Sequence, residues 1–316
     1  MQGKCGGLSH HVSFMLAVAA SLSAEPAGNM RPRRQSAGAD KPTPTHADVS
    51  YGPHAQNVFD IWLPEQEKPA PLVLFIHGGG FRGGSKNQLG RSTVRQYLNA
   101  GIAVGAIEYR FVSHAKLPAA HHDCRRALQL IRSKAEEWNV DKTRVGAFGG
   151  SAGAQICMWL AFHSDMADPT SDDPIAREST RLTCVATTGG QTTMDFSWWQ
   201  RWIPGYDSPH RDPKESFDYN SAEELQAIVA DISALSLVSP EDPPIHMQYG
   251  QNPNDPIPAD PRKARGWKIH HVMFGIKLKE RMDELGVEAI LQHRGLPSSY
   301  GSKERFVIKK LTEKGG

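Results

Sequence analysis

Cysteine is scarce in this chain, with four in 316 residues. No CxxC or HxxxH spacing occurs, so neither a disulfide framework nor a metal site is expected. Cys5 falls in the N-terminal leader described below, which leaves Cys124, Cys157 and Cys184 as an odd set in apolar or helical surroundings, read as buried free thiols. An excess of one charge is also missing: 36 Lys and Arg against 34 Asp and Glu leave a net charge of +2. The one tight basic group, Arg31, Arg33 and Arg34, lies in the N-terminal tail, so no nucleic-acid partner is expected. Long apolar runs are absent too. VSFMLAVAASL (12–22) is too short to span a bilayer but right for a signal-peptide core, with Ser21 and Ser23 small enough to allow cleavage after Ser23. The expectation is an export leader at 1–23, hence a periplasmic or secreted protein. A flexible linker rich in Pro, Arg, Ala and Thr follows at 24–47, then one domain at 48–316.

What the domain does contain is a repeated alternation of strand and helix patterns. ADVSYG and NVFDIWLP alternate apolar and polar residues around a turn, which predicts a β-hairpin. PLVLFIHGGG is a continuous apolar run ending in glycines, the signature of a strand buried on both faces. RSTVRQYLNAG, IAVGAIEYR, the long amphipathic LPAAHHDCRRALQLIRSKAEEWNV and RVGAFGG continue as helix, strand, helix and strand. AGAQICMWLAFHS, RLTCVATTGG, PIHMQYG, HVMFGIKLKERMDELG, VEAILQHR and ERFVIKKLTE repeat the grammar. Such units predict one α/β domain with a doubly wound, mostly parallel sheet and helices on both faces. Residues 165–239 are expected to form an insertion over the sheet. Its FSWWQRW aromatics are read mainly as packing, and His121-His122-Asp123 as a solvated helix face or partners for Arg125 and Arg126.

Two segments carry chemistry. In GAFGGSAGAQ (146–155) the serine sits between glycines after a strand pattern and before a helix pattern. This fits the G-x-S-x-G elbow, where small neighbours permit a sharp turn that lifts the Ser151 hydroxyl clear of the sheet. In HGGGF (77–81) glycines at a strand's end let the amides of Gly79 and Gly80 approach a ligand oxygen. With the Ala152 amide they would form an oxyanion hole, each donor worth about 3 kcal/mol in the transition state. His77 is read as orienting that loop.

These motifs, with YGPHAQNVFDIWLP, DCRRALQLIRSKAEEWNVDKTRVGAFGGSAGA and DPPIHMQYGQNPNDPIP, resemble the α/β-hydrolase fold. Within it they resemble the HGGG-bearing esterases and lipases similar to hormone-sensitive lipase and bacterial carboxylesterases. The resemblance covers most of the chain after the linker. It implies a cofactor-free serine carboxylic-ester hydrolase working through an acyl-enzyme on small or carbohydrate-linked acyl esters. It also implies a triad in the order Ser, Asp, His, and Asp255, followed by Pro256-Ile257-Pro258, matches the family's acid; the reading of the residues alone leaves it a turn-forming Asp.

The histidine departs from the pattern. After VEAILQHRG the family places its base a few residues beyond a turn, and here that stretch reads LPSSYGSKERF. Ser298 or a neighbour takes the place. His271 is the first candidate, on a connection that begins at the catalytic edge, with His270 and His293 as alternatives. Without a base the serine is a poor nucleophile, which makes a catalytically impaired binding protein the rival expectation. A prolyl-oligopeptidase-like peptidase is a third, disfavoured by the HGGG motif and by the lack of a propeller-like N-terminal region.

Overall fold

The computed structural model describes residues 41–313. The stretch expected to be an export leader and most of the expected linker lie outside the described residues. Eight strands form one sheet: β1 (His46–Ser50), β2 (Val58–Trp62), β3 (Ala70–Ile76), β4 (Ala103–Ile107), β5 (Val140–Gly150), β6 (Cys184–Thr188), β7 (Ile245–Gln248) and β8 (Ala289–Gln292). Their order is β1-β2-β4-β3-β5-β6-β7-β8. The β1-β2 hairpin and the β2-β4 pair are antiparallel, and from β4 to β8 every pair is parallel. This is the α/β-hydrolase fold. The chain is already tied down inside the stretch read as linker: Trp62 Nε1 donates to the Pro42 carbonyl at 2.7 Å and the Leu63 amide to Thr45 Oγ1 at 2.9 Å.

Helices α1 (Arg91–Asn99) and α9 (Lys303–Thr312) cover one face, where Val94, Tyr97, Phe306, Val307 and Leu311 are fully buried. Each such large apolar side chain contributes about 1.5–3 kcal/mol. On the other face lie α2 (Ala119–Ser133), α3 (Ala152–Phe162) and α8 (Met273–Glu284). Every residue of α3 is buried, which its run of Ala, Ile, Met, Trp and Leu permits. The sequence pattern overran α2, whose helix stops at Ser133, and missed α7 (Pro261–Ile269). That helix has a polar, arginine-rich sequence and buries only Trp267, so it lacks an apolar stripe, although Asp260 caps it and Pro261 opens it.

The 165–239 segment holds α4 (Phe196–Trp202), α5 (Ala222–Asp231) and the short α6 (Ala234–Leu237). It is cemented to the domain core by Trp199, Ile203, Tyr206 and Phe217, all nearly inaccessible. His121 and Asp123 are not solvated as expected. His121 is sealed against Gln155 Oε1 at 2.7 Å, and the Asp123 carboxylate takes Arg110 in a fork at 2.7–3.1 Å. Cys124, Cys157 and Cys184 are buried free thiols.

Candidate active site

Sheet order places the site. From β3 the chain crosses to β4 on one side and then to β5 on the other, so the carboxyl ends of β3 and β5 flank the point where the winding reverses. Open parallel sheets form their binding crevice there. The HGGG loop leaves β3 and the serine elbow leaves β5 at this point.

Ser151 has φ 53° and ψ −121°, a conformation that costs a non-glycine residue about 1–3 kcal/mol and persists only where its surroundings enforce it. The enforcement is visible in the glycines. A Cβ on Gly153 would lie 2.0 Å from the Ile76 carbonyl oxygen, and one on Gly149 2.5 Å from the same atom. The elbow is pressed onto the end of β3. The Ser151 amide donates to the Thr188 carbonyl at 2.9 Å, and the serine stands at the N-terminus of the buried α3, where the helix dipole favours negative charge.

Across from it the glycine loop is folded on itself. His77 is fully buried, its Nδ1 donating to the Gly78 carbonyl at 2.8 Å and its ring stacked on Tyr109 at 4.2 Å; burial holds its pKa below the usual value. Tyr109 Oη donates to the His77 carbonyl at 2.8 Å. A Cβ on Gly78 would sit 3.5 Å from Ser151 Cβ, so loop and elbow are in contact. Gly80, Ser151 and Ala152 line one cleft with Phe81, Gln191 and Trp199. Gly79 is part of the same loop, at φ 122°, but does not line that cleft.

The histidines separate by position. Gly150, Thr188, Gln248 and Gln292 are in register across β5, β6, β7 and β8. His293, just past β8, is therefore three strand steps from Ser151, about 14 Å. It is locked in a turn, with amide bonds to and from Leu296 and Nδ1 donating to the Arg294 carbonyl at 2.7 Å. His271, the first candidate, is fully buried. Its Nδ1 accepts the Met273 amide at 3.2 Å, its ring stands edge-on to Trp267 at 4.3 Å, and burial pushes its pKa down to about 4. It does not line the Ser151 cleft. The reason is α7, which ends at Ile269 and turns His271 into the core.

His270 is placed differently. Its Nδ1 lies 2.8 Å from the carbonyl oxygen of Gly189, the residue one strand step (about 5 Å) from Ser151. His270 itself does not line the Ser151 cleft, but its neighbours Ile269 and Gln191 do. The Gly189 carbonyl, the shorter contact, favours a proton on Nδ1, while Gln191 Nε2 lies 3.1 Å from the same nitrogen.

Asp255 makes no hydrogen bond to a histidine among the described residues, although its charge acts on His271 against the effect of burial. Its Oδ2 accepts the Asn252 amide at 2.9 Å and lies 3.3 Å from Arg294, the local turn pairing that an Asn- and Pro-rich loop favours. Ser298, at the place where the family puts its base, shares a 2.9 Å hydrogen bond with His246 Nε2.

The insertion supplies residues that sequence reasoning passed over. His210 and Arg211 line the Ser151 cleft, and their surroundings, YDSPHRDPKES, carry no periodicity that would single them out. The His210 amide donates to Tyr206 Oη at 3.2 Å, and His210 Nδ1 shares a 2.9 Å hydrogen bond with the same hydroxyl. Burial first, then the charges of Arg211, Arg265 and His270, push its pKa down to about 4. It is a neutral imidazole.

With this geometry in hand, comparison with known proteins is direct. The BD-FAE family model matches residues 59–259. The chain belongs to the BD-FAE family. Esterase LipC of Mycobacterium tuberculosis is 27% identical over 128 residues, 40% of this chain and 30% of the relative. Ethyl acetate hydrolase of Pseudomonas putida is 29% identical over 104 residues, 32% and 33% of the two chains. The matched region thus spans about a third of these curated relatives. Among solved structures, a truncated carbohydrate esterase from gut microbiota superposes with TM-score 0.62 at 20% identity, over 87% of this chain and 99% of that one. An acetyl ester-xyloside bifunctional hydrolase from Caldicellulosiruptor lactoaceticus gives 0.58 at 19%, over 75% and 76%. These likenesses bear on the fold.

Proposed function

We propose that this BD-FAE family member is a serine carboxylic-ester hydrolase in which Ser151 is the nucleophile and His270 the base. The observation that carries the reading is the strained serine at the carboxyl end of β5, lining one cleft with Gly80 and Ala152. Ser151 Oγ passes its proton to His270 Nε2 and bonds to the ester carbonyl carbon. The amides of Gly80 and Ala152, which line the cleft, receive the negative oxygen, with that of Gly79 in the same loop. The Gly189 carbonyl holds the Nδ1 proton of the imidazolium, taking the place Asp255 was expected to fill. His270 then protonates the departing alkoxide, and water, deprotonated by the same nitrogen, attacks the acyl-enzyme and frees Ser151 and the acid.

The cleft leaves about 60 Å³ of free space, which suits a short acyl group. Carbohydrate and acetyl esters as substrates rest on the names of the structural neighbours. Export rests on the 12–22 apolar stretch. The rival reading, a hydrolase scaffold that binds without turnover, is favoured by one observation, the absence of histidine from residues 294–302, past the turn that follows β8.

Labelling by a serine-reactive fluorophosphonate and turnover of a short aryl ester, with Ser151→Ala as control, separate the two. Replacing His270 by Ala is expected to lower kcat about 10³-fold or more, and replacing His293 to change it little. Wild-type turnover in the folded His270→Ala protein overturns the assignment of the base.

A further inference from the structure

The cleft that holds Ser151 also holds a guanidinium outside any ion pair among the described residues. Arg211 Nη1 donates to the Gly80 carbonyl at 3.1 Å, and a Cβ on Gly80 would meet Nη2 at 3.1 Å, so the charge lies against the glycine loop. No ion pair to Arg211 is found among the described residues. The three carboxylates nearest in the chain have other partners: Glu215 pairs with Arg82, Asp207 lies 3.9 Å from Lys268, and Asp212, which lines the same cleft, accepts the Lys214 amide on Oδ1 at 2.9 Å. Arg82 and Arg265 are close enough to lower the Arg211 pKa, after burial and ahead of the opposing pull of Glu215. Beside it, the neutral ring of His210 lines the same cleft. A half-buried cation outside any ion pair, next to an imidazole that can donate one N–H, suits recognition of an oxyanion.

We infer that Arg211 and His210 form a carboxylate subsite, so that the preferred substrate is an ester bearing a carboxylate within a few bonds of the scissile carbonyl. This rests on the esterase reading above and goes beyond it. The carboxylate takes a charge-assisted bond from the Arg211 guanidinium and a second bond from the His210 ring N–H. The cost of desolvating the guanidinium is already met in the folded protein, so the charged group gains more there than at an exposed arginine.

The test uses isosteric pairs on both sides of the ester. Methyl hydrogen succinate against methyl succinamate puts the charge on the acyl side; O-acetylglycolate against O-acetylglycolamide puts it on the alcohol side. In the wild type, kcat/KM is expected to favour the charged member of at least one pair, and that pair names the side. Arg211→Gln is expected to reduce this charged-to-neutral ratio about tenfold or more, while Arg211→Lys retains part of it. A role limited to clamping Gly80 would lower both members equally and leave the ratio unmoved. An unmoved ratio in Arg211→Gln, or a wild-type preference for the amide in both pairs, overturns the subsite. Should no ester be hydrolysed, the esterase reading fails, and calorimetric affinities of the same four compounds for wild type and Arg211→Gln still decide the subsite. There, equal affinity of the two proteins for the charged compounds overturns it.

Discussion

A methyl group added at Gly153 tests the elbow directly. Its Cβ would fall 2.0 Å from the Ile76 carbonyl oxygen and 2.6 Å from that of His77, against an ordinary contact of about 3.4 Å or more. The overlap with Ile76 is thus more than 1 Å, and the obstructing atoms are main chain at the end of a central strand, so no side chain can swing aside. Relief requires α3 to back away from β3, carrying Ser151 and the Ala152 amide with it. Overpacking of this kind costs about 1–3 kcal/mol, and a displacement of about 1 Å in reacting groups costs about 100-fold in rate. Gly150→Ala is the internal control, because its Cβ would meet only the Thr188 carbonyl oxygen, at an acceptable 3.6 Å. Urea unfolding and aryl-ester kinetics on both variants give the comparison. Gly153→Ala with wild-type stability and rate, or Gly150→Ala as damaged as Gly153→Ala, refutes the reasoning.

Other outcomes follow from the same geometry. Asp255→Asn is expected to change kcat/KM by only a few-fold, since its carboxylate serves Asn252 and Arg294; a loss near 10⁴, as for a triad acid, would restore Asp255 to the machinery. His121 is wholly buried with its pKa lowered to about 4, so the unfolded chain takes up its proton first as pH falls. Stability is full above about pH 6.5, declines toward pH 4, and the loss from this group at pH 5 is about 2 kcal/mol; urea unfolding at pH 7 and pH 5 should show a smaller difference in His121→Gln. Tyr206→Phe removes the hydroxyl bonded to His210 Nδ1, and the ¹⁵N shift of that nitrogen should change while that of Nε2 changes less. If the 1–23 leader is cleaved, N-terminal sequencing of the exported protein should begin at Ala24.

The sheet was legible because its strands are buried on both faces: the runs at 71–76, 103–107 and 184–188 have no other use for so much Val, Leu and Ala. Ser151 and the glycine loop were legible because close backbone approach leaves glycine as the tolerated residue. The base was not. Choosing between His270 and His271 depends on which of two adjacent rings a helix end turns toward the cleft, and the polar sequence of α7 hid that helix. Asp255 matched a family spacing, yet its carboxylate is used by its own loop. Arg211 and His210 gave no signal, because the fold of the insertion rather than any local pattern carries them to the serine.

The contact between His270 Nδ1 and the Gly189 carbonyl has a practical corollary. An aspartate in that role can be swapped out, titrated or rescued, whereas a peptide oxygen has no side chain to replace and no proton to gain between pH 2 and 12. Alanine scanning would be blind to it. Its weight is accessible only by altering the peptide link itself, through an ester or thioamide at position 189, which makes this edge of β6 a target for chemical synthesis rather than for codon changes.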